Sequence, residues 1–335
     1  EPATGNSIMS AFIAQEQTFA RKVGRGLIYN DITETIGNTP LVKLGRLMKA
    51  HDVKADILAK IESFNPAGSV KDRSAFAMIE ALEAAGKIGP ETELIEATSG
   101  NNGVACAWVC ALKGIALTIV MPEHMSIERR KMQALFGANL VLTPKELGTK
   151  GAIDKAEALY KKNPNMVMIG QFENQANPDM HRATTAEEIW TDTGGMVDVI
   201  ISGIGTGGTF TGIAEALKPR NSDLQMIAVE PASCPVLSQG RSGVHKLQGL
   251  SSGHVPKIMR TDLIDEVFTV EDDDAIHMAR ELARVEALAV GISSGAMAVA
   301  ALQVAKRPEM TGKTIVTIFA DFAERYISTE LFDDL

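Results

Sequence analysis

The sequence predicts an α/β fold, parallel sheet covered by helices on both faces, in a chain of 335 residues that has room for two domains of ordinary size. Three observations carry that prediction. Segments patterned as strands alternate with segments of helical periodicity, which is what parallel pairing through crossover helices requires. Two strand-to-helix junctions, residues 98–103 and 203–209, are dense in glycine, hydroxyl and amide residues, as helix-mouth ligand loops are. Hydrophobic residues make up 45% of the chain and charged residues 22%, proportions that build a packed core.

In chain order, residues 1–27 read as a loosely held N-terminal arm. Ile36-Gly37-Asn38-Thr39-Pro40-Leu41 is a turn feeding a short strand. The alternating run 57–62 reads as a strand. Pro66 and Gly68 then break the chain and Ser69 can cap a helix over 74–85, where Ala75, Met78, Ile79, Leu82 and Ala85 recur at helical spacing. A strand over 93–97 leads through loop 98–103 into an apolar helix, 104–112. A strand over 115–121 leads to a helix over 126–136 opened by Ser126. A strand over 139–142 and a helix over 150–161 complete this alternation. The pattern then repeats with a helix over 184–191, a strand over 197–202, the loop 203–209, a helix to Leu217 and a strand over 225–229. Residues 231–265 carry few regular signals and several Gly, Ser and Pro; irregular segments this long are usually functional. A strand, helices over 272–285 and 295–306, and a strand over 314–319 finish the chain. No short-period repeat or low-complexity tract is visible.

The bulk properties narrow the classes of function. A formal net charge of −9 argues against non-specific nucleic-acid binding. No apolar run approaches the length of a membrane span, and no basic-then-apolar signal peptide opens the chain. Three cysteines do not make a disulfide framework, so a reducing compartment is expected, the cytoplasm or an organelle whose leader has been removed. Cys106 and Cys110 lie four apart on a predicted helix. No nearby His or Cys completes a metal site, so they read as small buried apolar residues and no metal is expected.

The chemistry concentrates in three places. Lys71, in Asn65-Pro66-Ala67-Gly68-Ser69-Val70-Lys71-Asp72-Arg73, falls in the first turn of a helix, where the positive end of the dipole makes a poor seat for a structural lysine. The same field, with partial burial, lowers an amine's pKa and suits it to attack a carbonyl. Residues 203–209, Gly203-Ile204-Gly205-Thr206-Gly207-Gly208-Thr209, can close backbone amides on an anion at a helix start. Taken alone they also fit a dinucleotide fingerprint, with Glu230 ending the next strand where a ribose-binding acid belongs. Thr98-Ser99-Gly100-Asn101 is a second helix-opening loop whose donors suit a carboxylate. Two helix-mouth anion sites plus a nucleophilic lysine suit an amino acid joined to a phosphorylated aldehyde; a dinucleotide has no need of the lysine.

From about residue 28 to 329 the chain resembles the cysteine synthase (O-acetylserine sulfhydrylase) and cystathionine β-synthase family, the fold-type-II pyridoxal phosphate enzymes. The landmarks run in order: Gly37-Asn38-Thr39-Pro40-Leu41, residues 65–73, 98–103, Met125-Ser126-Ile127-Glu128-Arg129-Arg130, Gln171-Phe172-Glu173-Asn174, 203–209, Gly291-Ile292-Ser293-Ser294-Gly295 and Glu324-Arg325-Tyr326. The resemblance implies two αβα domains of the tryptophan-synthase-β type with mostly parallel sheets. After the arm 1–27, residues 28–42 and 65–175 form the N-terminal domain, with the lysine and the carboxylate loop. Residues 43–64 and 176–335 form the C-terminal domain, with the phosphate loop. It implies a pyridoxal 5′-phosphate cofactor held as a Schiff base on Lys71, with Asn101 at its phenolic oxygen and Gly205, Thr206, Gly207, Gly208 and Thr209 on its phosphate. Thr98, Ser99, Asn102 and Gln171 grip the substrate carboxylate, and Gly249 and Ser251 lie near the substrate. The family reaction is β-replacement or β-elimination on O-acetylserine, O-phosphoserine, serine or cysteine through an aminoacrylate. A small nucleophile such as sulfide adds, homodimers are usual, and serine acetyltransferase is a known kind of partner.

Four departures from the family pattern fall near the cofactor or substrate. Asn102 stands in place of threonine and Gln175 in place of a proline. Gly249-Leu250-Ser251-Ser252-Gly253-His254 replaces a more glycine-rich segment, and Ala320-Asp321-Phe322-Ala323 replaces a Pro-Ser-containing one. The last puts Asp321 where a serine is expected at the cofactor's pyridine nitrogen. A carboxylate there favours a protonated ring and a longer-lived carbanion. This keeps open a racemase, lyase or decarboxylase working through a quinonoid, beside a non-catalytic cofactor-bearing partner of serine acetyltransferase.

Overall fold

The structure is a computed structural model that describes residues 24–98, 100–123 and 125–333. The described residues divide after Glu34 into two units. Of the expected arm, residues 1–23 lie outside the described residues. Within the first unit, Glu34 accepts hydrogen bonds from the backbone and side-chain amides of Asn30 at 2.9 and 2.8 Å.

In chain order the strands of the second unit are β1 (Leu41–Lys43), β2 (Asp56–Ile61), β3 (Glu93–Ala97), β4 (Ala116–Pro122), β5 (Asn139–Thr143), β6 (Met166–Met168), β7 (Val199–Gly203), β8 (Gln225–Pro231), β9 (Glu266–Val270) and β10 (Thr314–Phe319). They form a six-stranded sheet, β1-β2-β10-β7-β8-β9, and a four-stranded sheet, β5-β4-β3-β6. Among the described residues every pairing between these strands is parallel except β1 on β2. The principal helices are α1 (Gly45–Ala50), α2 (Lys71–Ala84), α3 (Asn101–Lys113), α4 (Ile127–Leu135), α5 (Gly148–Lys162), α6 (Ala176–Met180), α7 (Ala186–Asp192), α8 (Gly208–Leu217), α9 (Val236–Gln239), α10 (Asp272–Val285) and α11 (Ile292–Ala305).

Side-chain alternation decides which helices cover which face. In the larger sheet, Ile57, Ala59 and Ile61 of β2, Val199 and Ile201 of β7, and Ile227 and Val229 of β8 pack with α10 and α11. The opposite face puts Ile200, Met226, Ala228, Val316 and Ile318 against Ile189 of α7 and Phe210, Ile213 and Leu217 of α8. In the smaller sheet, Leu94, Leu117 and Ile119 meet α2 and α3, while Ile95, Ala97 and Val120 meet Ala152 and Ala156 of α5. Both sheets are therefore αβα layers.

Three differences from the sequence reading have local causes. The turn before β2 contains a six-residue helix, α1, opened by Leu44 without a side-chain cap, so no start signal marked it. The helix expected over 184–191 starts at Ala176 instead. It passes through a π-helical turn, His181–Thr185, before α7. Pro178 is compatible with this earlier start, because in a first turn a proline gives up no intrahelical bond. The helix expected from residue 104 begins at Asn101, so the amide-rich loop forms its first turn.

Candidate active site

In open parallel sheets the loops beyond the carboxyl ends of the strands hold the ligand. Three neighbouring strands of the larger sheet, β2, β10 and β7, lead respectively into the Lys71 turn, Asp321 and the loop 203–209. Two neighbouring strands of the smaller sheet, β3 and β6, lead into Thr98 and Gln171. The topology thus gathers five chemical groups that are remote in sequence.

The Lys71 turn is tied down from both sides. Val70 donates its N–H to the Ala320 carbonyl at 2.9 Å, and Ser69 pairs with Asp321 in an isolated bridge. The Ser69 hydroxyl accepts the Lys71 N–H at 3.2 Å, so the serine caps α2 from one residue before the helix boundary. Asp72 accepts the Ala67 N–H at 2.7 Å, and burial pushes its carboxyl up to about 7. Burial lowers the Lys71 amine to about 8, against the opposing charges of Asp321 and Glu62. At neutral pH a useful fraction of that amine is unprotonated and nucleophilic.

Behind the lysine lies a buried ion cluster. Arg73 contacts Glu62 at 2.8 and 3.0 Å and Glu188 at 2.7 and 2.8 Å, and Lys60 reaches Glu188 at 2.7 Å. It anchors the start of α2 to β2 and to α7.

Asp321 is 1% exposed and accepts hydrogen bonds from Asn101 Nδ2 and from the Tyr326 hydroxyl, each at 2.6 Å and both on Oδ2. Its Oδ1 has no partner among the described residues. Asn101 is held at its other end by Arg325, which donates to Oδ1 at 2.8 Å. Asp321, Asn101, Arg325 and Tyr326 therefore form one knot joining the mouth of α3 to the end of β10.

At the end of β3, Thr98 is 9% exposed and accepts the Gly100 N–H at 3.4 Å. Ser99 lies outside the described residues. Gln171 donates from Nε2 to the Ala97 carbonyl at 3.3 Å, which sets it beside the Thr98 turn. Glu96 accepts the Gly170 N–H at 2.8 Å and the Gln171 N–H at 3.4 Å, and burial pushes it up to about 7. Asn102 is 2% exposed and neither end of its amide finds a partner among the described residues. The fully buried Gln133 of α4 is likewise unpartnered, its Nε2 lying 2.6 Å from where a Cβ on Gly103 would sit.

In the loop after β7, Gly207 has φ +83°, a left-handed conformation that turns successive N–H groups into the mouth of α8. Thr206 is 5% exposed, and Gly208 and Thr209 open α8. Gly249 packs its carbonyl over Gly205, 2.3 Å from where a Cβ there would lie, and the Ser251 N–H donates to Ile204 at 2.7 Å. Segment 249–251 thus closes over the start of the loop, while the Ser251 hydroxyl turns to Cys234, 3.4 Å from its carbonyl. Glu230, the residue that made a dinucleotide reading attractive, is 1% exposed and caps α9, accepting from Leu237, Ser238 N–H and the Ser238 hydroxyl at 2.7, 3.0 and 2.6 Å. Glu230 is thus committed to the start of α9.

A lowered-pKa lysine between two helix mouths, one glycine-threonine and one hydroxyl-amide, defines a two-sheet α/β enzyme whose residues fit a phosphorylated aldehyde cofactor and an amino acid. The family described as pyridoxal-phosphate dependent enzymes matches residues 32–321, and the chain belongs to it. Cysteine synthase B of Campylobacter jejuni is 45% identical over 305 residues, covering 91% of this chain and 99% of that one. Cysteine synthase A of Escherichia coli (strain K12) is 46% identical over 317 residues, covering 92% and 97%. The crystal structure of cysteine synthase (OASS) from Entamoeba histolytica superposes with a TM-score of 0.91 at 40% identity, covering 94% of each chain. Within its family the chain is a cysteine-synthase-like enzyme. No helix among the described residues is long and apolar enough to cross a membrane.

Proposed function

We propose that the chain carries out β-replacement on a small amino acid of the O-acetylserine, O-phosphoserine, serine or cysteine type, exchanging the β-substituent for a small nucleophile such as sulfide. The observation that carries this reading is the junction of Lys71 with two helix-mouth sites of different donor chemistry. The cofactor, when bound, supplies an electron sink for charge at the substrate α-carbon. The remaining work falls to the chain. Lys71 would hold the cofactor covalently and, with its Nζ freed when the substrate amine takes its place, would take the α-proton and return it as a general base and acid. Gly205, Thr206, Gly207, Gly208 and Thr209 hold the phosphate with main-chain N–H groups and two hydroxyls at the mouth of α8. Thr98, Ser99, Asn102 and Gln171 hold the substrate carboxylate at the mouth of α3, and Gly249 and Ser251 close the site through their main chain.

Asp321 acts through its neighbours: it orients the Asn101 amide and raises the affinity of Lys71 for a proton. No observation favours the racemase, lyase or decarboxylase reading, or a purely non-catalytic one. Assembly as a homodimer and a serine acetyltransferase partner rest on the family resemblance. The division into two lobes, residues 28–42 with 65–175 and residues 43–64 with 176–335, likewise rests on the family resemblance.

Steady-state assays with the four amino acids, each paired with sulfide, cyanide or a thiol, test the proposal. Turnover that needs both substrates and releases the β-substituent supports it. Exchange of the α-proton without loss of that substituent sinks it.

A further inference from the structure

The segment 176–183 precedes the helix expected from residue 184 and was given no role in the sequence reading. Two of its side chains, four residues apart on one helical face, reach instead into the loop 203–209. Asn177, 1% exposed, donates from Nδ2 to the Thr206 hydroxyl oxygen at 3.0 Å and to the Gln171 carbonyl at 3.1 Å. His181, also 1% exposed, has Nδ1 at 2.8 Å from the Thr185 hydroxyl and Nε2 at 3.2 Å from the Thr209 hydroxyl. The close approach depends on two glycines of α8. A Cβ on Gly208 would lie 2.0 Å from Asn177 Oδ1, and one on Gly212 would lie 2.7 Å from the His181 Cβ.

We infer that Asn177 and His181 are positioning residues that donate from behind to the Thr206 and Thr209 hydroxyls, so that both O–H groups point forward onto the cofactor phosphate. A threonine hydroxyl has one proton and two lone pairs. If a buried neighbour donates to a lone pair, the hydroxyl proton must find its acceptor elsewhere, and the phosphate is the acceptor at this helix mouth. An amide nitrogen can only donate, which fixes the sense at Thr206. At Thr209 the tautomer assigned is the one in which the Thr185 hydroxyl donates to Nδ1 and the ring proton sits on Nε2, directed at Thr209. Burial and the Arg73 charge depress His181 to about 3, so the ring stays neutral and keeps one donor and one acceptor face. Asn177 has a second consequence. By holding Gln171 and Thr206 with one amide, it couples the carboxylate site to the phosphate site. The inference rests on the assignment of the phosphate to residues 205–209 and adds the residues that set its geometry.

The test compares pyridoxal phosphate with pyridoxal, which lacks the phosphate, in absorbance titrations of the cofactor-stripped full-length chain. Their affinity ratio isolates the phosphate term. Asn177→Asp keeps the shape but turns the donor into an acceptor that competes for the Thr206 proton. His181→Leu removes the donor, and His181→Gln restores one. Losing one charge-assisted hydrogen bond to phosphate corresponds to about 10- to 100-fold. Asn177→Asp and His181→Leu should therefore lower the ratio by that factor while pyridoxal binding holds, and His181→Gln should recover most of it. An unchanged ratio in both variants overturns the inference, as does an equal loss of both ligands, which means a merely structural role. If the unmodified chain shows no preference for the phosphorylated form, the assignment of the phosphate loop fails first.

Discussion

Replacing Arg73 by leucine probes the cluster that seats the reactive lysine. The cluster contains two cations, Lys60 and Arg73, and two carboxylates, Glu62 and Glu188, with side chains 0% exposed except for Glu188 at 12%. Arg73→Leu leaves one cation facing two buried carboxylates and removes both bidentate contacts. Breaking a buried pair by deleting one partner costs about 3–5 kcal/mol, because the remaining charge is left uncompensated. Urea unfolding at neutral pH, followed by tryptophan fluorescence and far-UV dichroism, measures the loss as a shift in midpoint at constant slope. The double variant Arg73→Leu/Glu62→Met removes one charge of each sign, keeps the Lys60–Glu188 pair, and should cost less than Arg73→Leu alone. The acid side has a definite sign. Arg73 holds Glu62 below its ordinary value, and Arg73 with Lys60 holds Glu188 at about 2. Carboxylates depressed in the folded state add stability above their unfolded pKa and lose it as pH falls through the folded one. The contribution of Glu188 is therefore present above 4.5 and fades toward about 2, and Arg73→Leu should flatten that dependence. A loss under about 1 kcal/mol, the range of an exposed ion pair, refutes the assignment of a buried cluster.

Other expectations follow from the same contacts. With Lys71 at about 8, the rate of cofactor capture by the stripped enzyme should rise with pH and level off near that value; a midpoint near 10.5 contradicts the burial argument. Asp321→Asn removes the charge that opposes the depression, so the midpoint should move lower still, and an upward move excludes the assigned coupling. Gln171→Ala should weaken amino-acid binding on the order of tenfold, the worth of one hydrogen bond to a carboxylate, and unchanged affinities would remove Gln171 from the grip. Gln133→Leu deletes two buried, unpartnered polar atoms at similar volume and should raise stability by about 1–3 kcal/mol in thermal or urea unfolding; a loss would mean that the amide is satisfied by bound water.

The alternation of strands and helices was legible because it is written in local periodicity and turn chemistry. Ile57, Ala59 and Ile61 announce β2, and Pro66 and Gly68 announce its end. The order of strands is not local. Nothing near residue 314 says that β10 inserts between β2 and β7, yet that insertion is what brings Asp321 beside the Lys71 turn. For the same reason Asp321 could be singled out from its register with Glu324-Arg325-Tyr326, while its partners Asn101 and Tyr326 emerged only in three dimensions. Arg73 looked like part of a motif; its partners Glu62 and Glu188 lie on different elements. Asn177 and His181 escaped notice because no helix was expected before residue 184. The visible signal was two polar residues at four-residue spacing in a segment that turned out to be helical and buried.

The most direct test of the central claim is to reduce the purified enzyme with borohydride, digest it and locate the added mass by peptide sequencing. The account predicts a single pyridoxyl group on Lys71, absent from Lys71→Ala along with the visible cofactor band. A pyridoxyl group on Lys60, Lys113 or any other lysine, or a protein that retains its cofactor band unchanged in Lys71→Ala, would contradict it.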